Sequence, residues 1–332
     1  MPMGIKSTAL ALIPKTKHAA SFADFRPIAH CNVIYKIVSK IIANRLKPIM
    51  PSIVKNTQSG FIKTRISTDN IILAQEILSY AAKGKKNVFC AKFDIRKAFD
   101  TVSREFILAR LHQKGFPAVF INWVKNCIID VNFLIVIKGA LDGFFPSSAG
   151  LRQGCPLSPY LFCIAMDAFS SILDNNIFIG VQYKNFKLSH LLYADDLLVF
   201  GEASTANYTH LMNAINCFTN STGLHINLDK SSIILPKHLT SADDISSYLG
   251  LTSRDLVTYL GVPISFRRLK ISDIYPLLDD IIRKLSGWNA KLLSFAGRLQ
   301  YLKFTMINSI AYWIKGGHFT KSCFQILQES CL

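Results

Sequence analysis

Apolar and polar positions along the chain follow two periods, and the changes from one to the other divide it into elements. Residues 9–15 (Ala-Leu-Ala-Leu-Ile-Pro-Lys) read as a strand, 16–24 as a polar turn and 25–29 as the returning strand, which predicts a basic hairpin. From 32 to 50 the period is helical: Val33, Ile34, Ile37, Val38, Ile41, Ile42 and Leu46 recur three and four apart, with Lys36, Lys40, Arg45 and Lys47 between them, up to Pro48 and Pro51. Residues 58–65 form a loop, and 69–82 a second helix that stops at Gly84.

Residues 87–95 are a buried strand with Asp94 near its end, and 96–111 continue as a turn and helix. A helix and a short apolar hairpin occupy 117–139. A loop dense in Gly and Pro covers 150–159, where Ser158 as cap and Pro159 in the first turn open the apolar helix 160–173. The run 188–201 sets Asp195 and Asp196 between two apolar stretches, which predicts a tight hairpin with both acids at its tip. Residues 204–222 are helical, 223–230 lead into a strand over 231–235, and 259–263 read as a strand ending in a turn. The remainder is helical and basic: Arg267, Arg268, Lys270, Arg283, Lys284, Lys291, Arg298 and Lys303 share it with Trp288, Phe295 and Tyr301. No internal repeat or low-complexity linker separates these parts.

Composition narrows the partner more than the fold. With 332 residues, half of them hydrophobic, the chain buries a substantial core across two or three lobes. Its 38 Lys and Arg against 21 acids leave a net charge of +17, which points to a polyanionic partner, nucleic acid before membrane. The longest apolar candidate, 116–145, is broken by Lys125 and Asp130, short of the ~18 uninterrupted residues of a membrane helix. Eight scattered cysteines with no C-x-x-C pair favour free thiols over disulfides or zinc. The first twenty residues carry Lys6, Lys15 and Lys17 and no acid, a bias shared with transit peptides.

The candidate chemistry lies with three acids. Two adjacent carboxylates on a largely buried hairpin are costly unless a cation compensates them, and a divalent metal with oxygen ligands does so; the plainer alternative is an acidic turn facing water. Asp94, at the end of a core strand, is a third acid of the same kind, and a sheet can bring it beside Asp195. Metals held ~3.5–4 Å apart by shared carboxylates serve in-line phosphoryl or nucleotidyl transfer, in polymerases and nucleases alike. Lys15 and Arg26 could grip phosphate from the basic hairpin, or be two solvated cations. Phe99, five positions after Asp94, either closes the metal site against a sugar ring or packs in the core. The 150–159 loop suits a phosphate or template backbone at a helix N-terminus, or is an ordinary cap. Lys230 is either a proton donor to a leaving pyrophosphate or a surface lysine.

Taken in order, Ile13-Pro-Lys15 with Asp24-Phe-Arg-Pro-Ile28, Gln58-Ser-Gly-Phe61, Phe93-Asp-Ile-Arg-Lys-Ala-Phe-Asp100, Arg152-Gln-Gly-Cys-Pro-Leu-Ser-Pro159, Tyr193-Ala-Asp-Asp196, Gly223-Leu-His-Ile-Asn-Leu-Asp-Lys230 and Tyr259-Leu-Gly261 resemble the motif set of reverse transcriptases. The series is most similar to that of plant LINE-type non-LTR retrotransposons and covers nearly the whole chain. The segment 287–298 also resembles the one that follows the palm in that family. Since Ile13-Pro-Lys15 already matches, the N-terminus reads as enzyme rather than targeting peptide.

The resemblance implies an α+β, right-hand polymerase fold: fingers over 1–86, an antiparallel-sheet palm flanked by helices over 87–262 with a fingers-like insertion near 112–148, and a partial basic helical thumb over 263–332. It implies that Asp94, Asp195 and Asp196 bind two Mg²⁺ ions, for which Mn²⁺ can substitute. Because neighbouring strand residues point to opposite faces, Asp94 and Asp195 are expected as direct ligands and Asp196 as the more distant member. It further implies that Lys15 and Arg26 hold the triphosphate and that Phe99 is a steric gate against a 2′-hydroxyl. Gln153 and Gly154 line the nucleotide and template site, Lys230 is the general acid, and Tyr259, Leu260 and Gly261 form a primer grip. The implied partners are an RNA template, a DNA primer and deoxynucleoside triphosphates, with no membrane, and the implied place of action is the nucleus. The sequence departs from the family pattern at Thr64, at Lys138-Gly139 and at Cys155. It corresponds to the middle part of LINE proteins, which join an endonuclease, a reverse transcriptase and a Cys/His-rich region. RNA-templated RNA synthesis would share the aspartates, although Phe99 argues against it, and a catalytically inert nucleic-acid-binding remnant would keep only the charge.

Overall fold

The computed structural model describes residues 1–175, 177–239, 245, 248–286, 292–301, 303–304 and 311–312. The chain opens with α1 (Met3–Lys6), β1 (Thr8–Pro14), β2 (Phe25–Cys31), α2 (Val33–Leu46), α3 (Met50–Ile53) and α4 (Ser67–Lys83). It continues with β3 (Val88–Phe93), α5 (Ala98–Thr101), α6 (Arg104–Gln113), α7 (Ala118–Ile128) and a hairpin of β4 (Val131–Ile137) and β5 (Ala140–Ser147). After α8 (Ser158–Asn175) come two hairpins, β6 (Val181–Tyr183) with β7 (Phe186–Leu188), and β8 (His190–Tyr193) with β9 (Asp196–Glu202). Then follow α9 (Thr205–Thr222), β10 (Ser232–Ile234), β11 (Thr252–Ser253), and a hairpin of β12 (Val257–Tyr259) and β13 (Val262–Ile264). Helices over Ile271–Ser286 and Phe295–Tyr301 end the described elements.

A five-stranded sheet in the order β11-β10-β3-β9-β8 organises the centre, antiparallel except where β10 meets β11. Its middle strand is buried on both faces, which is why residues 87–95 are apolar without interruption. On one face Phe89, Ala91, Phe93, Leu197 and Val199 pack with α8 and α9; on the other Cys90, Leu198 and Phe200 pack with α4 and the β12–β13 hairpin. Helix α8 buries twelve of its eighteen residues, including Phe162 and Phe169, so it is apolar around most of its circumference.

The second sheet, β2-β1-β4-β5, joins distant parts of the chain. The basic hairpin pairs Thr8 with Cys31 through Pro14 with Phe25, and β1 runs parallel to β4 from Thr8↔Phe133 to Ala11↔Val136.

Several boundaries differ from the sequence pattern. Helix α2 ends at Leu46 and a separate turn, α3, takes up Met50, because Pro48 and Pro51 interrupt the backbone hydrogen bonds. The β4–β5 hairpin runs to Ser147, well beyond residue 139. Helix α8 starts at Ser158 itself, so Ser158 is its first residue rather than its cap. Residues 259–263 are not a strand entering a turn: Leu260 and Gly261, with φ of 49° and 82°, are the two-residue turn between β12 and β13. Trp288, Lys291 and the segment matched at 287–291 lie outside the described residues.

Candidate active site

The acids meet at one end of the central sheet. The β3–β9 ladder ends at Phe93↔Leu197, and one further step of that register sets Asp94 across from Asp196. The β8–β9 hairpin closes at Tyr193↔Asp196, leaving Ala194 and Asp195 as its two-residue turn, with Ala194 at φ 57°. Strand alternation therefore does not govern Asp195, which stands off the ladder. The Asp94 peptide is pinned on both sides, its N–H donating to Ser231 Oγ at 3.0 Å and its carbonyl accepting from Asn227 N–H at 2.8 Å. Lys92, on the face that register assigns to Asp94 and Asp196, donates from Nζ to the Thr258 carbonyl at 2.7 Å and stands 3.7 Å from Asp196 Oδ1.

Charge accumulates at this end. Surrounding protein lifts the Asp195 carboxyl above the ordinary carboxylate range, Asp196 and Asp94 add to the rise, and Arg26 pulls against it. Asp196 is raised by the same desolvation and by Asp94, with Lys92 opposing. Among the described residues no three His, Cys, Asp or Glu side chains converge at metal-ligand spacing. Even so, a set of carboxylate oxygens under mutual repulsion has the donor type and the charge that suit a hard divalent cation.

The turn is held by Gln58 and Ser59, which the motif series includes without a role, and by Asn70 and Arg65, which sequence reasoning did not single out. Gln58 is fully buried; its Oε1 accepts from Gly60 N–H at 2.8 Å and Ala194 N–H at 3.0 Å, and its Nε2 donates to the Ala194 carbonyl at 3.4 Å. Ser59 N–H donates to the Leu192 carbonyl at 2.9 Å, so the loop lies along β8 as a parallel bridge. Asn70 donates to the Leu192 carbonyl at 3.1 Å and to the Tyr259 hydroxyl at 3.3 Å while accepting from Ser59 Oγ at 2.8 Å. Arg65 gathers the loop by donating to the carbonyls of Pro51, Val54, Lys55 and Gln58. Asn70 could have been found as a polar residue on the buried face of α4.

The remaining predicted residues divide into those near the acids and those apart from them. Arg26 acts electrostatically on Asp195, and Lys15 on Asp24 and Asp100. Phe99 stacks on Phe162, ring centroids 4.6 Å apart and planes at 20°. Gln153 donates to Asp100 Oδ1 at 3.2 Å and accepts at its carbonyl from Ala29 N–H at 2.9 Å, while Gly154 takes φ 105°. Gln153, Asp100, Lys97 and Ala29 line a cleft of about 410 Å³. Gly150 closes the loop against Asp100: a Cβ there would stand 2.4 Å from the Asp100 carbonyl oxygen, at φ 81°. Lys230 is exposed at the end of a short 3₁₀ turn over Leu228–Lys230, and it is not among the groups acting on the aspartates. Tyr259 is fully buried, which leaves the Leu260–Gly261 turn as the accessible part of that motif.

Comparison with known proteins assigns the arrangement. Telomerase from Candida tropicalis, solved in complex with a TWJ fragment of telomeric RNA, matches 98% of this chain and 57% of its own at a TM-score of 0.56 and 15% sequence identity. That likeness gives this helix-flanked, mostly antiparallel sheet the right-hand fold. Residues 13–264 match the family described as reverse transcriptase (RNA-dependent DNA polymerase), and the chain belongs to that family.

Its relatives include homologues in non-LTR retrotransposons. The Transposon TX1 uncharacterized 149 kDa protein of Xenopus laevis is 26% identical over 326 residues, covering 94% of this chain and 24% of that protein. The Pol polyprotein from the type-2 retrotransposable element R2DM of Drosophila melanogaster is 30% identical over 230 residues, covering 69% of this chain and 21% of that one. The chain thus spans about a quarter or less of the length of these two relatives. No helix among the described residues is long and apolar enough to cross a membrane.

Proposed function

We propose that this chain is the polymerase domain of a LINE-type non-LTR element, of the plant kind its motif series resembles, and that it extends a DNA primer on an RNA template from deoxynucleoside triphosphates. The observation that carries this reading is that the β3–β9 ladder ends at Phe93↔Leu197, one step short of Asp94 and Asp196, with Asp195 in the turn between β8 and β9 and the charge of Asp94 acting on both. Two Mg²⁺ ions, or Mn²⁺ in their place, supply activation of the primer 3′-hydroxyl and neutralisation of the leaving pyrophosphate when bound. Asp94 and Asp195 hold them directly. Asp196, drawn toward Lys92, is the more distant member.

Arg26, whose charge reaches Asp195, and Lys15 on the same hairpin receive the triphosphate. Phe99, set in place by its stack on Phe162, excludes a ribose 2′-hydroxyl. Gln153 and Gly154 line the nucleotide and template site, Lys230 delivers a proton to pyrophosphate, and Tyr259, Leu260 and Gly261 form the primer grip, with the Leu260–Gly261 turn nearest the strand. In this reading 1–86 are fingers, 87–262 palm and 263–332 thumb. The union of β1 with β4 in one sheet supports assigning 112–148 to the fingers.

The test is magnesium-dependent incorporation of dTTP on poly(rA) primed with oligo(dT), comparing the chain with Asp195→Asn. Incorporation by the unaltered protein that disappears in the variant is expected. The net charge of +17 favours a second reading, RNA binding without catalysis. RNA retained by both proteins with incorporation by neither would establish that reading and overturn the polymerase.

A further inference from the structure

We infer that Gln58 is a positioning residue for the aspartate turn: its buried carboxamide fixes the Ala194 peptide, so that Asp195 is presented to divalent cations in one orientation. The inference rests on the metal-binding reading of the acids given above.

The turn is short and cannot fix itself. The β8–β9 ladder closes at Tyr193↔Asp196, so the polar groups of Ala194 lie outside it. Ala194 also holds φ 57°, a backbone region that residues with a Cβ rarely enter and that persists only where surrounding contacts over-determine it. Those contacts come from one side chain. Gln58 accepts from the Ala194 N–H and donates to the Ala194 carbonyl, a pair of roles that a carboxamide fills and neither a carboxylate nor an alkyl chain can.

The clamp is itself immobilised. The same Oε1 accepts from Gly60 N–H, Ser59 is tied to Leu192, and Arg65 holds four carbonyls of the preceding loop. Gly60 sets the approach: a Cβ there would stand 2.4 Å from the Ala194 nitrogen, a backbone atom that cannot swing aside. Asn70 adds a second anchor one residue pair back, at the Leu192 carbonyl. Gln58 thus works through Ala194.

Two substitutions separate this role from a general contribution to folding. Gln58→Met keeps the volume and removes both hydrogen bonds, and Gly60→Ala keeps Gln58 while pushing the loop off the turn. Mn²⁺ binding to the full chain is measured by electron paramagnetic resonance without nucleotide or nucleic acid, beside thermal unfolding of the same samples. The unaltered protein is expected to bind Mn²⁺ at a site lost in Asp195→Asn. Both clamp variants are expected to bind it about tenfold more weakly while still folded, the equivalent of one net hydrogen bond of ~1.4 kcal/mol. Primer extension by both is expected to need correspondingly more metal, with the KM for dTTP at saturating metal unchanged. Unaltered Mn²⁺ affinity in either folded variant would overturn the inference alone. Absence of Asp195-dependent Mn²⁺ binding in the unaltered protein would overturn the metal reading and this inference with it.

Discussion

Acidification should weaken the fold through a single buried histidine. His190 opens β8, four residues before the turn that follows it, and is 1% exposed. Its Nε2 lies 2.7 Å from Ser170 Oγ, its Nδ1 lies 2.8 Å from Ser189 Oγ, and its ring stands edge-on to Phe169. Burial pushes its pKa down to about 4 from 6.5, against a weaker upward pull from Asp174 and Asp167. An unfolded chain takes up the proton at about 6.5 and the native one only near 4, so the stabilisation is complete above 6.5 and is lost as pH falls between those values. At about 1.4 kcal/mol per pH unit, the loss is roughly 2 kcal/mol at pH 5 and roughly 3 at pH 4. Asp195 and Asp196, with raised values, act in the opposite sense, so the histidine is isolated by difference. Urea unfolding of the protein and of His190→Gln is followed at pH 7, 6, 5 and 4.5. The stability of the variant should fall about 2 kcal/mol less between pH 7 and 5. Parallel curves would refute the reasoning.

Three further outcomes follow from the same geometry. Asp167→Ala strands one buried and one half-buried cation, Arg110 Nη2 at 3.0 Å and Lys114 Nζ at 2.7 Å, and should cost about 3–5 kcal/mol in denaturant unfolding; a loss below about 1 kcal/mol would count against an ion cluster built on a buried carboxylate. The carboxyl of Asp167 is held below its usual range because those partners outweigh its desolvation, so its share of stability fades only in strong acid, as pH falls through its lowered pKa. Gly150→Ala drives a Cβ into the Asp100 carbonyl at φ 81° and should lower stability by more than about 1 kcal/mol in urea unfolding, where a change within about 0.5 kcal/mol would contradict the packing. Because the carboxyl of Asp195 is raised, its charge destabilises the metal-free fold at neutral pH. Asp195→Asn should therefore melt higher than the unaltered chain in EDTA and gain less from added Mn²⁺, as read by scanning fluorimetry.

How much of this was legible in the sequence depended on the range of the interaction. Asp94, Asp195 and Asp196 were readable because each interrupts an apolar run, and an acid in such a setting demands compensation. The central strand and α8 were readable because burial on every side leaves no period to misjudge. Helix α1, four residues long, is too short to show a period. Strand β5 carries Asp142, Gly143 and Pro146 and is largely exposed, so its strand character comes from pairing with β4 rather than from its own pattern. Gln58 and Lys92 act on backbone carbonyls and amides more than a hundred positions away, and a carbonyl leaves no trace in a list of side chains. The hydroxyl of Tyr259 is of the same kind: it meets Asn70 inside the core, 189 positions distant.

The parallel pairing of β1 with β4 has a consequence for biosynthesis. Strand β1 is translated more than a hundred residues ahead of β4, so the edge it offers stays unmatched until residues 131–137 have been translated and have emerged. At roughly 5–20 residues per second, that is a wait on the order of ten seconds. During it a nascent hairpin with an open edge is exposed to whatever strand comes within reach. A fragment ending before residue 131 would keep that open edge, so the completion of the β1–β2 hairpin's sheet is timed by the arrival of the chain beyond it.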